Sequence, residues 1–211
     1  MGRPAANTAQ DTAERLLDAA EGVFARNGLH AARLEDIAAA VGIRRPSLLY
    51  HYPSKEALYE AVVARAFARL GAALAPAMTR GADFRQRFDD VLGAFLTHLE
   101  ANRALATLAL RELAADEGPG RARIAQEVAP LLDLVERFIR IGGHGVIRPH
   151  LPIRAALLQI ASGVVVRLAS GDLAAPLWGE LDRTRDLARC LFFPDPVTHH
   201  QEPTDGPRPA S

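Results

Sequence analysis

The chain has 211 residues, 49% of them hydrophobic, and its 25 basic and 25 acidic side chains cancel at neutral pH. That length and apolar content suffice for one or two domains with buried cores, and the charge balance excludes a protein that grips nucleic acid through a broad basic field. No uncharged apolar run reaches the roughly 18 residues of a membrane helix, no signal-peptide core opens the chain, and the single Cys190 permits no internal disulfide, so a cytoplasmic protein with no membrane partner is expected.

In chain order, residues 1–10, Arg3 among them, are small and polar and read as a disordered, solvated arm. Asp11 and Glu14 have the spacing of a capping box. They open a helix with Leu16, Leu17, Ala20, Val23 and Phe24 on its apolar face and Asn27–Gly28 at its end. Leu34, Ile37, Ala38 and Val41 then recur at helical spacing up to Gly42, which reaches φ > 0 at no steric cost and suits a sharp reversal. Ala32 and Arg33 stand where a hydroxyl would cap that helix, so its start is bare. Pro46 opens the next helix, through Ser47, Leu48, Leu49, Tyr50 and His51. An element so short is held by packing Leu48 and Tyr52 onto its neighbours, which leaves the other face free for a partner, and double-stranded DNA is the partner that fits.

Ser54 caps a longer helix with Leu58, Val62, Ala66 and Leu70 on one face, running to about Pro76 and shared by both halves of the protein. Glycine and proline clusters divide the remainder into five helices at residues 83–101, 103–115, 120–141, 153–169 and 178–193. Cys190, among Leu187, Leu191 and Phe192, reads as a small buried hydrophobe. From residue 194 onward the composition is Pro-, His- and Asp-rich, and disorder is expected.

Taken as a set, Arg15-Leu16-Leu17, Ala20, Phe24, Gly28, Ile37-Ala38, Val41-Gly42-Ile43, Leu48, His51-Tyr52, Ser54-Lys55-Glu56 and Leu58 resemble the helix-turn-helix of the TetR family of transcriptional regulators. The resemblance covers roughly residues 10–62 and is specific as a set. It implies an all-α chain in which an N-terminal three-helix DNA-binding domain (residues 11–53) leads through a connecting helix (54–78) into a C-terminal helical bundle for effector binding and dimerisation (79–193). It also implies a homodimeric one-component regulator, in most cases a repressor, that leaves a pseudo-palindromic operator when a small-molecule effector binds. Leu49 stands where the family commonly has a phosphate-touching tyrosine, with Tyr50 one place later.

Within that frame Arg45, at the entry to the recognition helix beside Pro46, is positioned to pair with guanine O6 and N7, and Arg44 to do the same or hold a phosphate. Ser47, Tyr50, His51 and Lys55 are candidates for phosphate oxygens. Of the 25 basic residues only Lys55 is lysine. It sits in the first turn of its helix, where the dipole disfavours a cation, so something must compensate, and a phosphate would. Residues 1–60 hold seven basic and eight acidic side chains, which points to local contacts in place of a field.

In the larger domain Phe88, Phe95, Leu99, Leu134 and Phe138 supply apolar surface for a core or an effector pocket, with His98, Arg111 and Glu112 as candidate polar partners. The helix at residues 153–169 is apolar around most of its circumference. Leu157, Ala161, Val164, Val165 and Leu168, with Leu181 and Leu187 from the last helix, make a two-fold dimer interface. An enzyme built on Gly142-Gly143-His144-Gly145 with Glu100, Asp116 and Glu117 lacks any nucleophile motif, phosphate loop or metal-ligand spacing. No cofactor, metal site or catalytic residue is assigned. A helical small-molecule binder without DNA function is the alternative, and it requires Arg44, Arg45 and Lys55 to be dispensable.

Overall fold

The computed structural model describes residues 5–81, 83–115 and 118–194. Among these every regular element is helical: α1 (Ala5–Ala31), α2 (Leu34–Val41), α3 (Arg45–His51), α4 (Lys55–Thr79), α5 (Phe84–Ala101), α6 (Arg103–Ala114), α7 (Pro119–Gly142), α8 (Ile153–Ala169), α9 (Ala174–Trp178) and α10 (Thr184–Phe192), with a 3-10 turn at Gly171–Leu173. The all-α expectation holds. Arg3, Asp116, Glu117 and the tail from residue 195 lie outside the described residues.

Two N-terminal expectations are corrected. Residues 5–10 extend α1 instead of forming an arm, so Asp11 lies inside the helix and caps nothing. Alanine at positions 5, 6 and 9 and Gln10 are strong helix formers and carry the helix upstream. The stop at Gly28 is real as a break in direction (φ 72°, ψ 174°), after which helical pairing resumes through Ala31.

The reversal after α2 follows from its last residues. Gly42 takes φ 80°, ψ 24°. Its N–H reaches the Ala39 carbonyl at 3.0 Å, and the Ile43 N–H reaches Ala38, also at 3.0 Å. This is a Schellman closure, which frees the chain to start α3 two residues later. Ser54 caps α4 as expected, its hydroxyl oxygen accepting the Ala57 N–H at 3.0 Å.

Two cores share α4. Leu58, Tyr59, Val62 and Val63 join Leu16, Phe24, Ile37 and Leu48 in the N-terminal core, while Ala66, Leu70, Leu74 and Met78 join Phe84, Phe88, Ile139 and Phe192 in the C-terminal one. By length and composition alone α4 could cross a membrane. Here it is packed against α1, α5 and α7, and Arg65 interrupts its apolar surface, paired with Glu14 (3.2 Å), Asp18 (2.8 Å) and Glu21 (3.2 Å) of α1.

The N-terminal core also takes in Leu108 and Ala109 of α6 and Ile124 of α7, so the two halves are not separable layers. At that junction Tyr59, fully buried and edge-on to Phe24, donates to the Glu112 carboxylate at 2.5 Å. Burial, and then the Glu112 bond, hold the Tyr59 phenol far above its usual pKa. Tyr59→Phe strands a buried carboxylate and costs about 1–3 kcal/mol in urea unfolding. The sign in pH follows from the raised pKa. The Tyr59 contribution is complete below about pH 10, where the unfolded phenol also keeps its proton, and is lost as pH rises beyond it. The Phe variant therefore shows a shallower loss of stability on alkaline titration than the parent.

The last predicted helix is corrected. Gly179 at φ 82° ends α9 after one turn, and α10 begins only at Thr184, whose N–H (2.9 Å) and hydroxyl (2.6 Å) both bond Asp182. Cys190 is exposed, not buried, because Ala188 and Phe192 are the residues α10 turns inward.

Candidate nucleic-acid interface and effector cavity

The recognition element is built from α2 and α3. Leu48 is the one residue of α3 that is fully buried, and Tyr52 follows it inward, its hydroxyl donating to the Ala13 carbonyl at 3.4 Å. With those two anchored, Arg44, Arg45, Pro46, Ser47 and Tyr50 lie together on the exposed side, with His51 half-buried beside them. Tyr50 is 84% exposed, a large aromatic surface left in water, and meets the His51 ring edge-on at 5.5 Å. The helix begins at Arg45, one residue ahead of the predicted start, with Pro46 in its first turn. The arginine side chain thus leaves from the N-terminal end of α3, where partial positive charge from the unpaired N–H groups reinforces its own.

Arg45 rests 3.4 Å from Glu35 of α2, both side chains about half exposed. Such a pair contributes about 0–1 kcal/mol and gives way readily to a stronger acceptor. The α1 carboxylates Asp18 and Glu21 are engaged by Arg65, and Asp18 also by Arg69.

Lys55 is half-buried, and its ammonium donates to the carbonyls of His30 (2.9 Å) and Ala32 (3.2 Å). Those carbonyls lie at the end of α1 and in the turn that follows it, just ahead of α2, which has no side-chain cap. Lys55 thereby ties the start of α4 to the start of α2. Much of the compensation expected from a phosphate is supplied inside the protein. An ammonium has three donors, so one stays available to an outside oxygen. This tie is invisible in sequence because it spans 25 residues.

In the C-terminal domain a cavity of about 260 Å³ lies between α4, α5, α6, α7 and α8. Phe88, Phe95, Leu99 and Phe138 line it; Leu134 does not, since it falls on the outer face of α7 and is 44% exposed. His98, Arg111 and Glu112 are absent from the wall. Burial lowers the His98 pKa, with Glu21 and Arg69 as charged neighbours, and the Arg111 guanidinium donates to the Arg26 carbonyl at 3.1 Å. Sequence reasoning missed Ala106, Ala109, Leu157, Ala161 and Val165 as wall. The signal of Ala106, Ala109 and Ala161 was a small residue on an inward face, where a bulky one would have filled the space.

The assignment of α8 to a dimer interface is revised accordingly. Val164 and Leu168 belong to the core of the single chain, at 1% and 5% exposure, and Leu157, Ala161 and Val165 face the cavity. The outward apolar surface is carried instead by Leu177, Trp178, Leu181 and Leu187, each at least 42% exposed. The Gly142–Gly143 run is a packing device, not a set of donors. A Cβ on Gly143 would stand 2.6 Å from the Ile139 carbonyl oxygen and 2.9 Å from Phe84.

Fold and site together define a two-part helical protein, a helix-turn-helix module joined to a bundle with an internal cavity. Residues 16–62 match the family model of the bacterial regulatory proteins of the tetR family, which assigns the helix-turn-helix domain to that family. The transcriptional regulator RutR of Escherichia coli strain K12 is 50% identical over 48 residues, which span 23% of this chain and 23% of that protein. SrpR of Pseudomonas putida, also a transcriptional regulator, is 26% identical over 175 residues, 82% of this chain and 78% of its own. Among solved structures, the transcriptional regulator FadR from Bacillus subtilis in complex with stearoyl-CoA superposes with a TM-score of 0.71 at 17% identity, covering 84% of this chain and 96% of that one. That likeness shows a shared fold.

Proposed function

We propose that this chain is a one-component transcriptional repressor that binds a pseudo-palindromic operator as a homodimer and leaves it when a small-molecule effector fills the C-terminal cavity. The observation that carries the reading is the exposed face of α3, where Arg44, Arg45, Ser47 and Tyr50 are presented together on a helix anchored by Leu48. A two-fold dimer would set two such helices into successive major grooves about one helical turn apart.

Release has a physical route in α6. Leu105, Ala106 and Ala109 of α6 line the cavity, while Leu108 is buried in the N-terminal core, Glu112 holds Tyr59, and Arg111 holds the end of α1. A ligand that displaces α6 changes the setting of α1 and α4, and through them of α3. That a regulator of the same fold is seen with stearoyl-CoA supports a ligand-responsive role.

The test is selection of duplexes from a random library by the full-length protein. A palindrome with half-sites one turn apart is expected, with binding lost on the combined Arg44→Ala and Arg45→Ala change. Enrichment of no duplex by a folded protein that still binds ligand would favour the small-molecule binder without DNA function.

A further inference from the structure

Native interiors hold few voids larger than a water molecule, and apolar voids of about 150 Å³ stay dry and take up apolar molecules. A cavity of about 260 Å³ inside the bundle is therefore a site and not a packing defect. Its shape follows from the helices that wall it. Ile124 and Ile139 both line it from α7, and at ~1.5 Å per residue they stand about 22 Å apart along the axis. That volume spread over that length makes a slot along the bundle.

Among the described residues the wall carries one polar side chain, Ser162, and no charged one. The Ser162 hydroxyl donates to the Gln159 carbonyl at 3.1 Å, which leaves its oxygen lone pairs to accept from an incoming O–H or N–H. Ser162 is exposed, as are Leu113 (62%) and Leu158 (45%), so these residues mark the mouth; Leu99, Ile139 and Phe192 are buried and mark the interior. A charge carried past the mouth loses its hydration with nothing to replace it.

Resting on the reading of this cavity as the effector site, we propose that its ligand is an elongated, uncharged apolar molecule lying along the bundle axis, with one hydrogen-bonding group held at Ser162. Ala106, Ala109 and Ala161 keep the slot open along its length, and Phe88, Phe95 and Phe138 give it flat apolar walls.

The experiment melts the full-length protein, without DNA, in decanol and in decanedioate. Both are ten-carbon chains, but the diacid must bring one carboxylate inside. Decanol at a hundredfold excess over its Kd raises Tm by about 5 °C or more, and decanedioate leaves it unchanged. Ser162→Ala, an exposed change that folds, weakens decanol about threefold to tenfold and leaves decane unaffected. Ala161→Phe fills the slot and abolishes the shifts with decanol and with decane; if that variant does not fold, the Ser162 arm decides. Equal stabilisation by decanedioate, or none by decanol, overturns the proposal. Operator binding is measured separately, so a protein that binds operator but not decanol loses only this inference. One that binds decanol but no duplex loses only the regulator reading.

Discussion

Leu187→Arg converts the proposed dimer to a monomer of unchanged helix content and weakens operator binding by about two orders of magnitude or more. Leu187 is 50% exposed on α10, and Leu177, Trp178 and Leu181 extend the same apolar character along α9 and the segment after it. A monomer leaves that surface in water, whereas a two-fold contact buries it, and an arginine placed there enters the contact twice. The operator loss is large because two half-sites bound by one dimer gain from effective concentration, which a monomer forfeits. Light scattering, circular dichroism and operator titration on one preparation check all three parts. A variant of unchanged mass would remove α10 from the interface.

Val164→Arg, the obvious substitution from sequence, tests something else. Val164 is 1% exposed and packs in the core of the single chain, so a guanidinium there is unpaired and buried whatever the assembly. The cost, on the order of 3–5 kcal/mol, falls on folding, and the loss of dimer that follows says nothing about the interface.

The contrast shows where sequence is legible. Periodicity identified α8 to the residue, because Pro152 and Gly171 bracket it, but could not say which side of an all-apolar helix turns inward. The buried set Ile153, Ala156, Ile160, Val164 and Leu168 is a helical stripe like any other; the chain simply offers apolar residues on the other faces as well. The helix-turn-helix was readable because its constraints are local. Gly42 needs a left-handed conformation, Leu48 needs burial, and Ser54 needs a helix to cap, all within a dozen or so residues. Lys55 bonding His30, and Tyr59 bonding Glu112 across 53 residues, are long-range and leave no periodic trace. The cavity is legible only as an excess of alanine on inward faces, and alanine is too common in helices to point there alone.

The recognition face gives the other large prediction, which separates reading from positioning. Arg45 leaves the N-terminal end of α3 paired with the exposed Glu35, so Arg45→Ala barely changes stability. On the operator it costs about 1–3 kcal/mol and relaxes preference at one base pair per half-site, because a bidentate guanine contact is lost. Lys55→Ala behaves differently. It removes two charge-assisted bonds to His30 and Ala32, so the protein itself loses about 1–3 kcal/mol and the start of α2 loosens. Binding weakens on all sequences alike, and the salt slope falls by about one phosphate per subunit only if the third ammonium donor meets the backbone. Lys55→Arg discriminates further: a planar guanidinium restores charge but not the compact reach to two carbonyls, so it rescues the salt slope without the stability. Titrations on the operator and its single-base variants at several salt concentrations, beside urea unfolding of each protein, decide the matter. Intact base preference in Arg45→Ala would end its reading role, and undiminished stability in Lys55→Ala would show that the tie between α4 and the α1–α2 turn holds nothing.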